Sequence, residues 1–411
     1  MTSNLWTTNT PQKFWGLEPD PPAEIWNQAI QNSIPVLGFP PAMKSLEDVL
    51  AYSLGEARFG KNHFKMGSVR YLYYLIKPYL PRSTIFRLRH IAGSFLGGNM
   101  TKTWPVEARY VKFQWEILRQ VLLLSEKREV SFRYFWPDEK EYAFVLTHDI
   151  ETAEGQRLVP VLAGMEEALG FRSMFNFVPE VYPLDWGLIH ELQARGFEIG
   201  VHGLQHDNRL FDSFEHFQKR SQSINAYFEK FQARGFRAPL TIRNPEWMQA
   251  LEMEYDLSFF DTDPYEPIPG GVMSIWPFSL GRFTELPYTL PQDCTLYKIM
   301  GETTPRIWLD KIDFIKKYHG MALVIVHPDY SAEGKIREIY GTFLSQMSER
   351  SEYWSALPGA VADWWNQRAT EAGASPPGQP FELARATLVE NELQIQLPTS
   401  SDQFLKIAQY S

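Results

Sequence analysis

Tyr142-Ala143-Phe144-Val145-Leu146-Thr147-His148-Asp149-Ile150-Glu151 is an apolar run that breaks abruptly into polar residues. An unbroken apolar start fits a strand buried on both faces, as in a parallel sheet. The same pattern recurs at Ile199-Gly200-Val201-His202 and at Val324-Ile325-Val326-His327. In α/β barrels and open sheets the C-terminal strand ends converge on the active site. Three such ends carry His or Asp here.

Outward from this stretch, short apolar runs alternate with amphipathic ones. Strands are expected at 142–147, 173–178, 198–201, 235–238, 257–261, 272–275 and 322–326. Helices are expected at 156–169, 185–195, 212–231, 306–318, 335–349 and 358–368. That alternation predicts βαβ units, hence an α/β fold with a parallel sheet or barrel over 141–370. Residues 1–140 read as a mostly helical extension, with helix-like segments at 45–57, 85–96 and 107–127, and an unclassified apolar run at 71–76. Basic residues there (Lys77, Arg82, Arg87, Arg89) read as a solvated face. Residues 371–411 read as a linker, centred on 373–380, and a small β-hairpin at 381–397.

Composition bounds the rest. The 411 residues are 44% hydrophobic and 22% charged, globular values. A net charge of −9 argues against a nucleic-acid partner, which needs clustered Lys and Arg. Cys294 is the single cysteine, so no intrachain disulfide forms and a reducing compartment fits. No apolar run approaches membrane-spanning length, and the first residues carry no basic-then-apolar secretory leader. The expectation is a cytoplasmic protein without a membrane span.

His202-Gly203-Leu204-Gln205-His206 spaces two imidazoles four apart, which on a helical turn suits one divalent ion. The spacing is weak alone, but it follows a strand end. Asp149 and Glu151 offer two carboxylates at another strand end: one can bind metal and the other take a proton from water, unless they merely cap the following helix. His327, ahead of Pro328-Asp329, suits a general acid. Arg237 in Gly235-Phe236-Arg237-Ala238-Pro239 can hold a carboxylate ionised and oriented. Asp261-Thr262-Asp263-Pro264 adds acids or forms a turn, and the loop 286–293 lines a cleft or crosses a surface.

Taken in order, these motifs resemble the polysaccharide deacetylase family of carbohydrate esterases. Residues 147–151 resemble its T-F-D-D-G motif, and His202 with His206 its H-[ST]-x-x-H, with Gly203 in place of Ser or Thr. Arg237-Ala238-Pro239 resembles its R-x-P, Asp261–Asp263 its acidic fourth motif, and Val326-His327 its L-x-H. The longer context, including His327-Pro328-Asp329-Tyr330, resembles a bacterial subgroup associated with surface-polysaccharide genes.

The resemblance implies a distorted (β/α) barrel of about seven strands, hydrolysis of N-acetyl or O-acetyl groups, and a carbohydrate substrate. The implied cofactor is a divalent metal, zinc first, with cobalt or nickel as alternatives. Asp149 would be the base, His327 the acid, Arg237 the group orienting Asp149, and Leu240 an oxyanion donor through its backbone N–H. His202 and His206 would bind metal. The family's second Asp is Ile150 here, which cannot, so Glu151 becomes the third ligand. Asp263, Arg243 and Tyr330 would touch substrate. Two rivals remain: an allantoinase-like cyclic-amide hydrolase, favoured by a deep closed pocket, and an inactive glycan-binding scaffold, favoured by absence of metal. The sequence leaves the oligomeric state open.

Overall fold

The computed structural model describes residues 4–65, 100–370, 381–398 and 404–407, with isolated positions between 72 and 91. Most of the apolar run at 71–76 and of the helix expected at 85–96, its basic neighbours other than Arg87, and the linker at 373–380 fall outside these residues.

Two short strands precede the barrel, β1 (Leu17–Glu18) and β2 (Glu129–Arg133). The barrel follows as β3 (Tyr142–Ile150), β4 (Met174–Phe177), β5 (Glu198–Val201), β6 (Gly235–Phe236), β7 (Tyr255–Asp256), β8 (Phe278–Leu280), β9 (Phe283–Glu285), β10 (Met321–Val326) and β11 (Tyr353–Ser355). The curled sheet runs β10-β3-β4-β5-β6-β7-β9-β8, and β11 adds to β3. Every pairing is parallel except the β8–β9 hairpin. This is a distorted (β/α) barrel. All nine residues of β3 are buried, because it pairs with β10 on one side and with β11 and then β4 on the other.

Helices return the chain between strands, and polar caps fix their starts. Thr152, Asp185 and Ser213 accept from the amides of Gly155, Leu188 and His216, opening helices Ala153–Ala168, Trp186–Ala194 and Phe214–Phe231. No helix among the described residues is long and apolar enough to cross a membrane.

Two expectations are corrected. Residues 272–275 form no strand; the Val272 and Met273 amides reach Phe260 and Asp261 as single bonds within a buried loop. The strand expected at 257–261 lies at 255–256, with one isolated bridge from Phe260 to Tyr288. The two chain ends meet in one sheet. Strands β12 (Leu383–Val389), β13 (Glu392–Gln396) and β14 (Phe404–Ile407) join β1 and β2 in a five-stranded sheet, with Leu383 opposite Arg133. Trp15, Trp26 and Trp115 of the N-terminal region share one apolar core with Ile395 of the tail and Phe175 of the barrel.

Candidate active site

Side chains alternate between faces along a strand, so Thr147 and Asp149 project to one side of β3 and His148 to the other. The Asp149 side faces a cavity of about 110 Å³, whose wall includes Glu151, His202, His206, Leu240, His327 and Tyr330. Six of the sequence-derived candidates therefore share a wall with Asp149.

Asp149 is 3% exposed. Its Oδ1 accepts from Arg237 Nη1 at 2.8 Å and Asn176 Nδ2 at 3.0 Å, while Oδ2 lies 3.8 Å from His202 Nε2. Burial pushes the carboxyl up, but the charges of Arg237, His202 and His327 outweigh it and bring it down to about 2. Arg237 is fully buried and pinned as well by Leu257 O at 3.0 Å and Thr147 Oγ1 at 3.0 Å.

His202 donates from Nδ1 to the Arg237 carbonyl at 3.0 Å, which leaves the Nε2 lone pair on the cavity side. That buried Nε2 has no hydrogen-bond partner among the described residues. Burial lowers the ring to about 4, so it is neutral at pH 7. Ligand atoms of Glu151, His202 and His206 all lie within 4.8 Å of one another, and Glu151 Oε1 sits 3.1 Å from His206 Nε2. One carboxylate, two imidazoles and an orphaned imidazole nitrogen fit a divalent ion with an open position. Burial opposes the Glu151 charge, yet His206, His327 and His202 hold the carboxyl well below its usual range.

The two histidines do not lie on a helical turn: residues 202–206 are an irregular loop, with ring centroids 5.4 Å apart. Gly203 makes that loop possible. Its φ is +62°, and a Cβ there would sit 2.4 Å from Pro239 Cγ, so the Ser or Thr of the resembling motif does not fit. Leu240, just past Pro239, is also left-handed at φ 57° and lines the cavity.

On the far wall, His327 Nδ1 pairs with Asp293 Oδ1 at 2.7 Å, and the other Asp293 oxygen accepts the His327 amide at 2.7 Å. Burial lowers the imidazole, but Asp293, Glu151 and Asp149 raise it well above its ordinary value. His327 Nε2 points towards Glu151, 3.6 Å from Oε1. The sequence reading missed Asp293: it lay at the tip of a quoted loop, but nothing local ties it to a histidine 34 positions later. Also missed were Asn176 and Glu266; the latter, on the cavity wall, accepts from Thr241 Oγ1 and Tyr288 O–H at 2.7 and 2.9 Å.

Two expected substrate contacts lie elsewhere. Arg243 is fully buried and grips Glu56 of the N-terminal region, Nη2 to Oε1 at 2.6 Å and Nε to Oε2 at 2.9 Å. Its guanidinium clamps that region to the barrel and is off the cavity wall. Asp263 is fully buried and accepts the Tyr265 amide at 2.7 Å, shaping its own loop. Asp261 is paired with Lys311 at 2.7 Å, away from the cavity wall.

No protein-family model matches the sequence, and no curated protein matches it. Among solved structures, the chain is similar to a Mycobacterium smegmatis protein described as a polysaccharide deacetylase, with 18% identity, 60% of this chain and 98% of that one covered, and a TM-score of 0.48. It is likewise similar to a probable polysaccharide deacetylase from Pseudomonas aeruginosa PAO1, with 12% identity, 57% and 94% coverage, and a TM-score of 0.46. The third is the PuuE allantoinase, with 13% identity, 57% and 93% coverage, and a TM-score of 0.43.

Proposed function

We propose that this chain is a metal-dependent hydrolase that removes N-acetyl or O-acetyl groups from a carbohydrate. The observation that carries the reading is the orphaned His202 Nε2, set with His206 and Glu151 around one point between Asp149 and His327. Glu151, His202 and His206 would hold the ion, zinc first, with cobalt or nickel as alternatives. When bound there, a divalent ion supplies Lewis acidity to water and to the acyl oxygen.

The chain's own groups do the rest. Arg237 and Asn176 occupy Asp149 Oδ1, which leaves Oδ2 to accept the proton of the attacking water. Asp293 keeps His327 protonated, and Nε2–H is the proton delivered to the leaving nitrogen or oxygen. The backbone N–H of Leu240 is the donor assigned to the developing oxyanion. A cavity of about 110 Å³ receives the acyl group and leaves the sugar ring outside, with Tyr330 as an aromatic on its wall.

The test is a screen for acetate release across N-acetyl and O-acetyl sugars, with and without chelator. Release that chelator abolishes and zinc restores supports the reading. A small cavity with one aromatic on its wall also favours a compact cyclic amide, so ring opening of such amides without acetate release would replace the carbohydrate reading. A purified chain that holds no metal and turns over neither class would leave the scaffold reading.

A further inference from the structure

We propose a second binding site, for a compact oxyanion of phosphate size and charge, in a cavity beside the end of helix Pro358–Arg368 that shares no residue with the Asp149 cavity. Its volume is about 70 Å³, with Arg368 in its wall and Lys13 and Thr8 at its exposed rim. No lining residue is acidic, although the whole chain carries a net charge of −9.

Arg368 is the reason a ligand is needed. It is 2% exposed, yet no carboxylate among the described residues pairs with it. Its Nε and Nη2 donate to the carbonyls of Tyr134 and Arg133 at 3.0 and 2.8 Å, and Nη1 has no hydrogen bond to a described residue. Aromatic faces surround it, with Phe135 at 4.9 Å and Trp365 at 5.1 Å. Carbonyls and rings satisfy the donors only in part and neutralise no charge. Nearby Arg133, bound to the Arg368 carbonyl at 3.0 Å and itself paired with Glu18 at 3.8 Å, adds a second cation. Burial and that neighbour drive the Arg368 guanidinium down to about 9, the direction expected of a cation with no counter-ion. An unpaired buried charge is costly, and an anion removes the cost.

The geometry favours a small oxyanion. Arg368 offers the two unbonded N–H of Nη1 in the wall, Lys13 an exposed ammonium at the rim, and Thr8 a hydroxyl, all donors. The site lies where the N-terminal segment, the loop around Ser274 and the last barrel helix meet, so its occupant would tie three parts of the chain together.

The test is calorimetric titration of inorganic phosphate into the full chain at constant ionic strength held by chloride, with thermal melting alongside. Saturable binding and a rise in Tm beyond the chloride control are expected. Lys13→Ala, which alters only an exposed side chain, should weaken binding about tenfold, the worth of one charge-assisted hydrogen bond. Lys13→Arg should restore it. Sulfate should compete with phosphate, and acetate should compete less well. No binding above the chloride control, or wild-type affinity in Lys13→Ala, would overturn the proposal.

Discussion

Two polar clusters grow from neighbouring residues of β3 and end differently. His148 turns to the helix side, donating or accepting at both ring nitrogens: Nδ1 with Val326 O at 2.9 Å, Nε2 with Glu166 Oε1 at 2.6 Å. Tyr340 and Ser173 fill the remaining Glu166 positions, at 2.6 and 2.5 Å. Asp149, one residue on, turns to the cavity. There His202 Nε2, Arg237 Nη2 and Asn176 Oδ1 are buried without hydrogen-bond partners among the described residues. Both sides are buried; what differs is satisfaction. A closed polar network specifies a core, while orphaned polar atoms around a void mark a place kept for a ligand.

The largest effect that tests this contrast is on rate. Asp149→Asn keeps the shape but removes the base, and acetate release should fall by roughly 10²- to 10⁴-fold. Urea unfolding should move far less, because the Asn176 and Arg237 contacts are partly retained. Equal rates in the two proteins would erase the distinction between the clusters.

Breaking the closed cluster should do the opposite. Glu166→Leu strands His148, Ser173 and Tyr340 and should cost about 3 kcal/mol in urea unfolding. Turnover per folded molecule should stay near wild type. A variant of full stability would mean that the closed network contributes nothing to the fold.

Gly203→Ala comes next. The left-handed φ costs about 1 kcal/mol and the Pro239 contact adds to it. Since the strain sits between the two histidines, metal affinity should fall together with Tm. Unchanged affinity would show that the loop's geometry is not fixed by this contact.

The smallest effect concerns the Asp261–Lys311 pair. Burial outweighs the lysine and lifts the Asp261 carboxyl to about 6. A raised carboxyl means that the folded state binds the proton more tightly than the unfolded chain does. The associated stability is full below the unfolded value of 3.8 and is lost as pH rises through about 6. Asp261→Asn should flatten that part of the stability–pH curve.

The site was legible to the extent that it lay at strand ends. Asp149, His202 and His327 each close an apolar run, and a parallel sheet delivers such ends to one place whatever their separation in sequence. Helix starts at 153, 186 and 214 were legible to within a few residues from amphipathic spacing. Illegible were contacts between distant loops: Asp293 with His327, Glu56 with Arg243, and β12 with β2. Nothing local in either partner announces such pairs. Arg243 shows the cost, because a lone arginine near a motif reads as a ligand contact until its carboxylate is found.

The claim that the Asp149 side of β3 is a metal-dependent centre is tested most directly by elemental analysis of the purified chain beside its His206→Ala variant, with acetate release measured on both. Stoichiometric divalent metal and activity are expected in the wild type, and neither in the variant. Acetate release from a wild-type chain free of metal, or equal metal content in the two proteins, would contradict it.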